Sequence, residues 1–169
     1  MSKEYKLRIG GFANDSIVDG PGIRFTIFMQ GCKRGCPGCH NKGLQNFDGG
    51  EDFYIEDIFE MAKKNPLLDG ITFSGGEPFC QAKNLYWLAK LFKQANYDLA
   101  VYSGYLYEEL IQDEEKLRLL ELMDTLVDGP FVLAKRNLSL KFRGSENQRI
   151  IDVQKSLKQK KIILNRHWY

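Results

Sequence analysis

Short runs of β-branched and aromatic residues alternate along this chain with stretches that carry an apolar stripe of helical period. Ile23 to Gln30 is the first such run, and it leads straight into a cysteine-rich loop. Tyr54 to Asn65 places Ile55, Ile58, Phe59 and Ala62 on one helical face, and Asn65-Pro66 ends the pattern. Asp69-Gly70 then turns the chain into a strand at Ile71–Ser74. A second helix is predicted over Ala82–Asn96, with Leu85, Leu88, Ala89 and Phe92 inward, followed by a strand at Asp98–Tyr102. A helical stretch from Leu106 to Leu122, broken near Asp113, precedes a strand at Asp124–Val127. Ser145-Glu146-Asn147-Gln148 has the S-x-x-Q form of a capping box and predicts a helix from Glu146; Lys161–Asn165 reads as a last strand.

Buried strands separated by helices argue for an α/β fold with mostly parallel strands. The 169 residues form a single domain, 1–169, with too few units for a closed eight-fold barrel of about 250 residues. An incomplete (β/α) barrel or an open twisted sheet is left. In both, binding sites collect where strands end and helices begin, so Cys32, Ser74, Ser103 and Asp128 should share one face.

The net charge of +2 gives no reason to expect nucleic acid or an anionic membrane as partner, and no apolar run reaches the length of a membrane span. The polar start, Met1 to Tyr5, is unlike a secretory signal, so a cytoplasmic location is expected. Three of the four cysteines, Cys32, Cys36 and Cys39, lie within eight residues, spaced C-x3-C-x2-C. In a reducing compartment such a group reads as metal ligands rather than disulfides. It is one thiolate short of the usual four-cysteine iron–sulfur site. Two other readings stand beside it: a structural zinc completed by His40 or Cys80, and an electron-transfer cluster closed by Cys80. Against zinc, only one knuckle is present and His40 adjoins Cys39 too closely to complete the same tetrahedron. Cys80 taken alone is a small buried hydrophobe.

C-x3-C-x2-C after a first strand resembles the signature of the radical S-adenosylmethionine enzymes. That resemblance implies a barrel of their incomplete type and a [4Fe–4S] cluster on Cys32, Cys36 and Cys39. It also implies S-adenosylmethionine on the open iron, cleaved by one electron to methionine and a 5′-deoxyadenosyl radical. Many members carry an aromatic residue before the third cysteine to flank the adenine. Gly38 stands there in this chain, so the resemblance leaves the backbone around Gly38 and Cys39, or His40, for that contact. Ser74-Gly75-Gly76-Glu77-Pro78 reads by itself as a tight strand-to-helix turn. Beside the cysteine loop it matches the family's second motif, which implies that Ser74 to Pro78 cradle the ligand's amino group, with Glu77 holding the loop.

Ser16 to Arg24 resembles the corresponding stretch of glycyl-radical-enzyme activases. Leu126 to Phe131 and Phe142 to Arg149 resemble the branch that activates anaerobic ribonucleoside-triphosphate reductases. The implied activity is oxidoreductase chemistry that leaves a glycyl radical on the reductase's large subunit, with a flavodoxin-like or other low-potential electron donor. Catalysis then needs no side-chain acid or base, because the cofactor carries the radical chemistry. Asp128, Arg143 and Asn147 are candidate contacts to the partner protein, although a turn aspartate and a helix cap would also account for them. Three alternatives remain: an activase of another glycyl radical enzyme, a small-molecule radical enzyme, and a non-catalytic iron–sulfur or zinc module.

Overall fold

The computed structural model describes residues 3–169. Seven strands form one sheet: β1 (Lys6–Ser16), β2 (Arg24–Met29), β3 (Glu51–Tyr54), β4 (Gly70–Gly75), β5 (Asp98–Tyr102), β6 (Thr125–Asp128) and β7 (Arg149–Asp152). Their order across the sheet is β3-β1-β2-β4-β5-β6-β7, with β3 and β7 outermost. The four middle strands, β2, β4, β5 and β6, run parallel. β1 pairs antiparallel with β2 and β3 on one flank, and β7 with β6 on the other. Five helices connect them: α1 (Ile55–Lys63), α2 (Ala82–Gln94), α3 (Tyr107–Leu110), α4 (Glu114–Leu120) and α5 (Val153–Gln159). The break expected near Asp113 separates α3 from α4, where the Asp113 carboxylate caps α4 by accepting from Lys116 N.

Alternation along the strands sorts the sheet into two unlike faces. Phe25, Ile27, Met29, Ile71, Phe73, Leu99 and Val101 point toward the helices. There they meet Ile58, Leu85, Leu88, Phe92 and Leu119 in one fully buried cluster. The opposite face is polar at its centre. Arg24, almost wholly buried, donates from Nε to Thr72 Oγ1 at 2.7 Å and from Nη2 to Asp98 Oδ2 at 2.9 Å. Thr72 in turn donates to Asp19 O. The Ser16–Arg24 segment is thereby stitched across the sheet, and Trp168 closes this face over the Arg24 guanidinium and against the Phe142 ring, 5.4 Å away.

Three parts of the sequence reading are corrected. β1 and β3 were not expected: Gly10, Gly11, Asn14 and Asp15 weaken β1 as a strand by propensity, and it forms because β2 and β3 pair on both its sides. No helix starts at Glu146. Gln148 Oε1 accepts from Gly144 N and Ser145 N, while the Ser145 hydroxyl accepts from Val132 N, so the segment is a tight turn. Ile150 and Ile151 are both fully buried on successive positions, as in a strand covered on two faces, and they belong to β7. The helix begins later, at Val153, capped by Asp152 through Lys155 N. Lys161–Asn165 runs beside β7 but forms only one isolated bridge, Ile151 to Leu164.

The Arg166–Tyr169 segment is an integral cover. Trp168 is 4% exposed, and the Tyr169 hydroxyl accepts from Ile150 N at 3.1 Å. Trp168→Ala is expected to cost about 3–5 kcal/mol in urea unfolding, and Tyr169→Phe about 1 kcal/mol.

Candidate active site

The parallel middle strands deliver their following loops to one edge of the sheet, and these loops enclose a cavity of about 230 Å³. Cys32, Cys36, Cys39 and His40 line it from the loop after β2, and Ser74, Gly75, Gly76 and Glu77 from the end of β4 and the loop that follows. Tyr102, Ser103 and Gly104 line it from the end of β5, and Gly129, Phe131, Gly144 and Gln148 from the long β6–β7 connection. A larger cavity of about 540 Å³ lies at the opposite strand ends. Its Asp69, Asp98, Asp124 and Asp152 are occupied by Ile23 N, Arg24, Leu99 N and Lys155 N respectively, which marks them as structural.

The two motif loops are locked together through backbone. β2 and β4 stay in register up to Met29 and Gly75. Gly76 N then donates to Met29 O and Glu77 N to Gly31 O, both at 2.8 Å, so the ladder continues past the strands into the loops. A Cβ on Gly76 would lie 2.4 Å from Gly31 O, and Gly75 has φ +94°. Only glycine permits this approach. The cysteine loop is held from its other side by Gly31 N to Leu44 O and Cys32 N to Gln45 O.

Glu77 is fully buried and serves the scaffold. Its carboxylate accepts from Phe79 N, Gly104 N and the Ser103 hydroxyl, tying the glycine loop to the end of β5. Burial pushes its pKa up, and these donors only partly oppose that. Arg34 crosses the same gap from the cysteine loop, with its guanidinium 4.7 Å from the Tyr105 ring centre and Nη2 toward Glu109. Burial likewise raises the thiol pKa values of Cys32 and Cys80 and the phenol pKa of Tyr102, which stays protonated.

Several site residues expected from sequence lie elsewhere. Gly38 and Pro78 do not line the cavity. Gly38, at φ +74°, lies beneath Phe131 and Leu133, whose side chains fill the space a residue at 38 would need. Phe131 instead faces His40, with ring centres 5.4 Å apart. Sequence reasoning missed Phe131, since nothing local connects it to the cysteine loop. It also passed over Asn41, whose Nδ2 reaches Gly75 O at 3.5 Å.

Asp128 is corrected as a partner contact: it is wholly buried, and its oxygens accept from Tyr107 N and Arg149. Arg143 and Asn147 sit behind the cavity wall. Arg143 donates from Nη1 to Gln148 O and stacks on Tyr169, and Asn147 donates from Nδ2 to Pro130 O. Cys80 is half-buried and outside the cavity lining.

Among the described residues, no three His, Cys, Asp or Glu side chains converge as ligands of a single metal ion. The three thiols instead border one cavity beside a backbone cradle. This soft donor set suits an iron–sulfur cluster.

The family described as a 4Fe-4S single cluster domain matches residues 18–151. The anaerobic ribonucleoside-triphosphate reductase-activating protein of Escherichia coli K12 is 35% identical over 144 residues, covering 78% of this chain and 90% of that protein. This chain belongs to that family of activating proteins. A relative from Enterobacteria phage T4 is 32% identical over 143 residues, covering 79% of this chain and 86% of its own. Among solved structures, QueE from Escherichia coli overlaps 59% of this chain and 53% of its own at 15% identity and a TM-score of 0.49.

For this activating-protein family member, Glu77→Gln is expected to cost about 1–3 kcal/mol, because an amide nitrogen replaces an oxygen that accepts a backbone N–H. Ser103→Ala should cost about 1 kcal/mol. Because the folded pKa of Glu77 is raised, its share of stability is present below the ordinary value of 4.5 and lost as pH climbs through the folded value. Unfolding curves for Glu77→Gln should lack that loss.

Proposed function

We propose that this chain installs a glycyl radical in the large subunit of an anaerobic ribonucleoside-triphosphate reductase. Cys32, Cys36 and Cys39 hold a [4Fe–4S] cluster, and S-adenosylmethionine lies across the cavity against Cys39 and His40 on one side and Ser74 to Glu77 on the other. The observation that carries this reading is the meeting of three thiols and a backbone cradle at one cavity. The relatives' name as activating proteins supports the partner.

A [4Fe–4S] cluster held by Cys32, Cys36 and Cys39 would supply the single electron for reductive cleavage of S-adenosylmethionine, and with it the means to take one hydrogen atom from the partner's glycine. The chain's own residues bind and orient. Gly75 and Gly76 keep the cradle open to backbone contact. Phe131 and His40 form an aromatic wall suited to a purine ring. Arg143 Nε and Asn147 Oδ1 are buried without partners among the described residues. Both residues lie behind the cavity wall, where Arg143 holds Gln148 O and Asn147 holds Pro130 O, so they brace the β6–β7 connection.

The electron comes from a flavodoxin-like or other low-potential donor, because the cluster works toward the negative end of the roughly −700 to +450 mV range. A cytoplasmic setting suits reduced thiols. No helix is long and apolar enough to cross a membrane among the described residues.

Reduced, cluster-loaded protein mixed with S-adenosylmethionine and the reductase's large subunit should produce a glycyl radical signal in electron paramagnetic resonance. Cys32→Ala, Cys36→Ala and Cys39→Ala should each abolish it together with the four-iron absorbance. Cys80→Ala should keep both. Bound zinc, or loss of the cluster in Cys80→Ala, would overturn this reading.

A further inference from the structure

We propose that the β6–β7 loop between Phe131 and Arg143 is the surface on which the partner's large subunit docks, and that it fits an acidic segment bearing exposed apolar side chains. The identity of the partner rests on the function proposed above; the location and chemistry of the surface rest on the loop.

Charge is segregated here. The chain as a whole is nearly balanced, with 24 basic and 22 acidic residues, yet every charged residue from 130 to 144 is basic. Arg143 is turned inward onto Tyr169 and Gln148 O. Lys135, Arg136 and Lys141 are exposed and form no ion pair among the described residues. Arg34 and Arg149, nearer the cavity, are both paired with carboxylates. Two leucines lie among the free cations: Leu133 is 51% exposed and Leu138, the most exposed large apolar residue described, is 82% exposed.

The loop is built to hold its shape. Arg136 bridges to Ser145, Glu146 N donates to Lys135 O, and Asn137 Nδ2 donates to Glu146 Oε1. Phe142, at φ +61°, is pinned against Trp168. A surface ordered before binding loses less entropy when a partner arrives.

Its feet stand on the reaction cavity. Phe131 and Gly144 line that cavity, and Leu133 packs over Gly38 beside Cys39. A subunit seated on the loop would therefore lie at the cavity mouth. A second copy of this chain is a poor occupant, since a two-fold contact would set the same three cations against each other. An acidic partner gains both steering and contact.

The test compares the parent with Lys135→Glu/Arg136→Glu/Lys141→Glu and, separately, with Leu138→Ser, all cluster-loaded. Affinity for the large subunit is measured at low and moderate salt, and S-adenosylmethionine cleavage is measured without the subunit. The triple variant should bind at least about tenfold more weakly at low salt, with the gap narrowing as salt rises. Leu138→Ser should lose roughly threefold or more regardless of salt. Both should cleave S-adenosylmethionine at the parent's rate. Lys135→Ala/Arg136→Ala/Lys141→Ala should move in the same direction by less.

Parent-like affinity in both the charge-reversed and Leu138 variants would overturn the docking surface while leaving the proposed function intact. So would a fall in cleavage without the partner, or a change in self-association in place of partner affinity. A parent that cleaves S-adenosylmethionine but neither binds nor activates the large subunit would overturn the proposed function, and the occupant of this surface with it.

Discussion

The parallel register between β2 and β4 sets the geometry of everything at the cavity. Hydrogen bonds from Gly76 N to Met29 O and from Glu77 N to Gly31 O carry that register beyond the last strand residues. The cysteine loop and the glycine loop thus leave the sheet as neighbours at a fixed spacing. A side chain on Gly76 would push Gly31 O away and break its bond with Glu77 N, the second of these two. The three thiols face the same cradle because the strands beneath them cannot slide: in a sheet with one face packed into a dense core, a slip of one residue turns Phe25, Ile27 and Phe73 to the wrong side.

A second constraint extends the lock to β5. Glu77 has no access to water and relies on donors from its own turn and from Ser103-Gly104. Leaving such a group unpaired is costly, so the loops after β4 and β5 cannot separate without penalty. Arg34 repeats the connection from the cysteine loop by stacking on Tyr105. On the far side, Asp128 fastens the end of β6 to Arg149 and to Tyr107 N. The cavity is rigid where its walls are charged and buried. The β6–β7 connection supplies its remaining wall through Gly129, Phe131, Gly144 and Gln148.

Much of this was legible in the residues themselves. The helices and central strands were visible because their apolar spacing reflects burial on one or both faces, and Cys32, Ser74 and Ser103 were placed together by the rule that parallel strands share an exit edge. What escaped was non-local. β1 contains two adjacent glycines and a polar end, and it is a strand only because two neighbours supply its hydrogen bonds. The Ser145–Gln148 turn carries the letters of a helix cap, but the buried Ser145 hydroxyl is claimed by Val132 N from an earlier part of the loop. Phe131 reaches His40 across the cavity from the other end of the fold. No spacing rule connects two such positions; their meeting is a product of the sheet order.

The most direct measurement is electron–nuclear double resonance on the reduced, reconstituted protein with S-adenosylmethionine labelled at its amino nitrogen and carboxylate oxygens. Hyperfine coupling of both labels to the cluster is the predicted result. Absence of coupling from a fully loaded four-iron cluster, with a fourth side chain of the protein bound to iron in its place, would contradict the account.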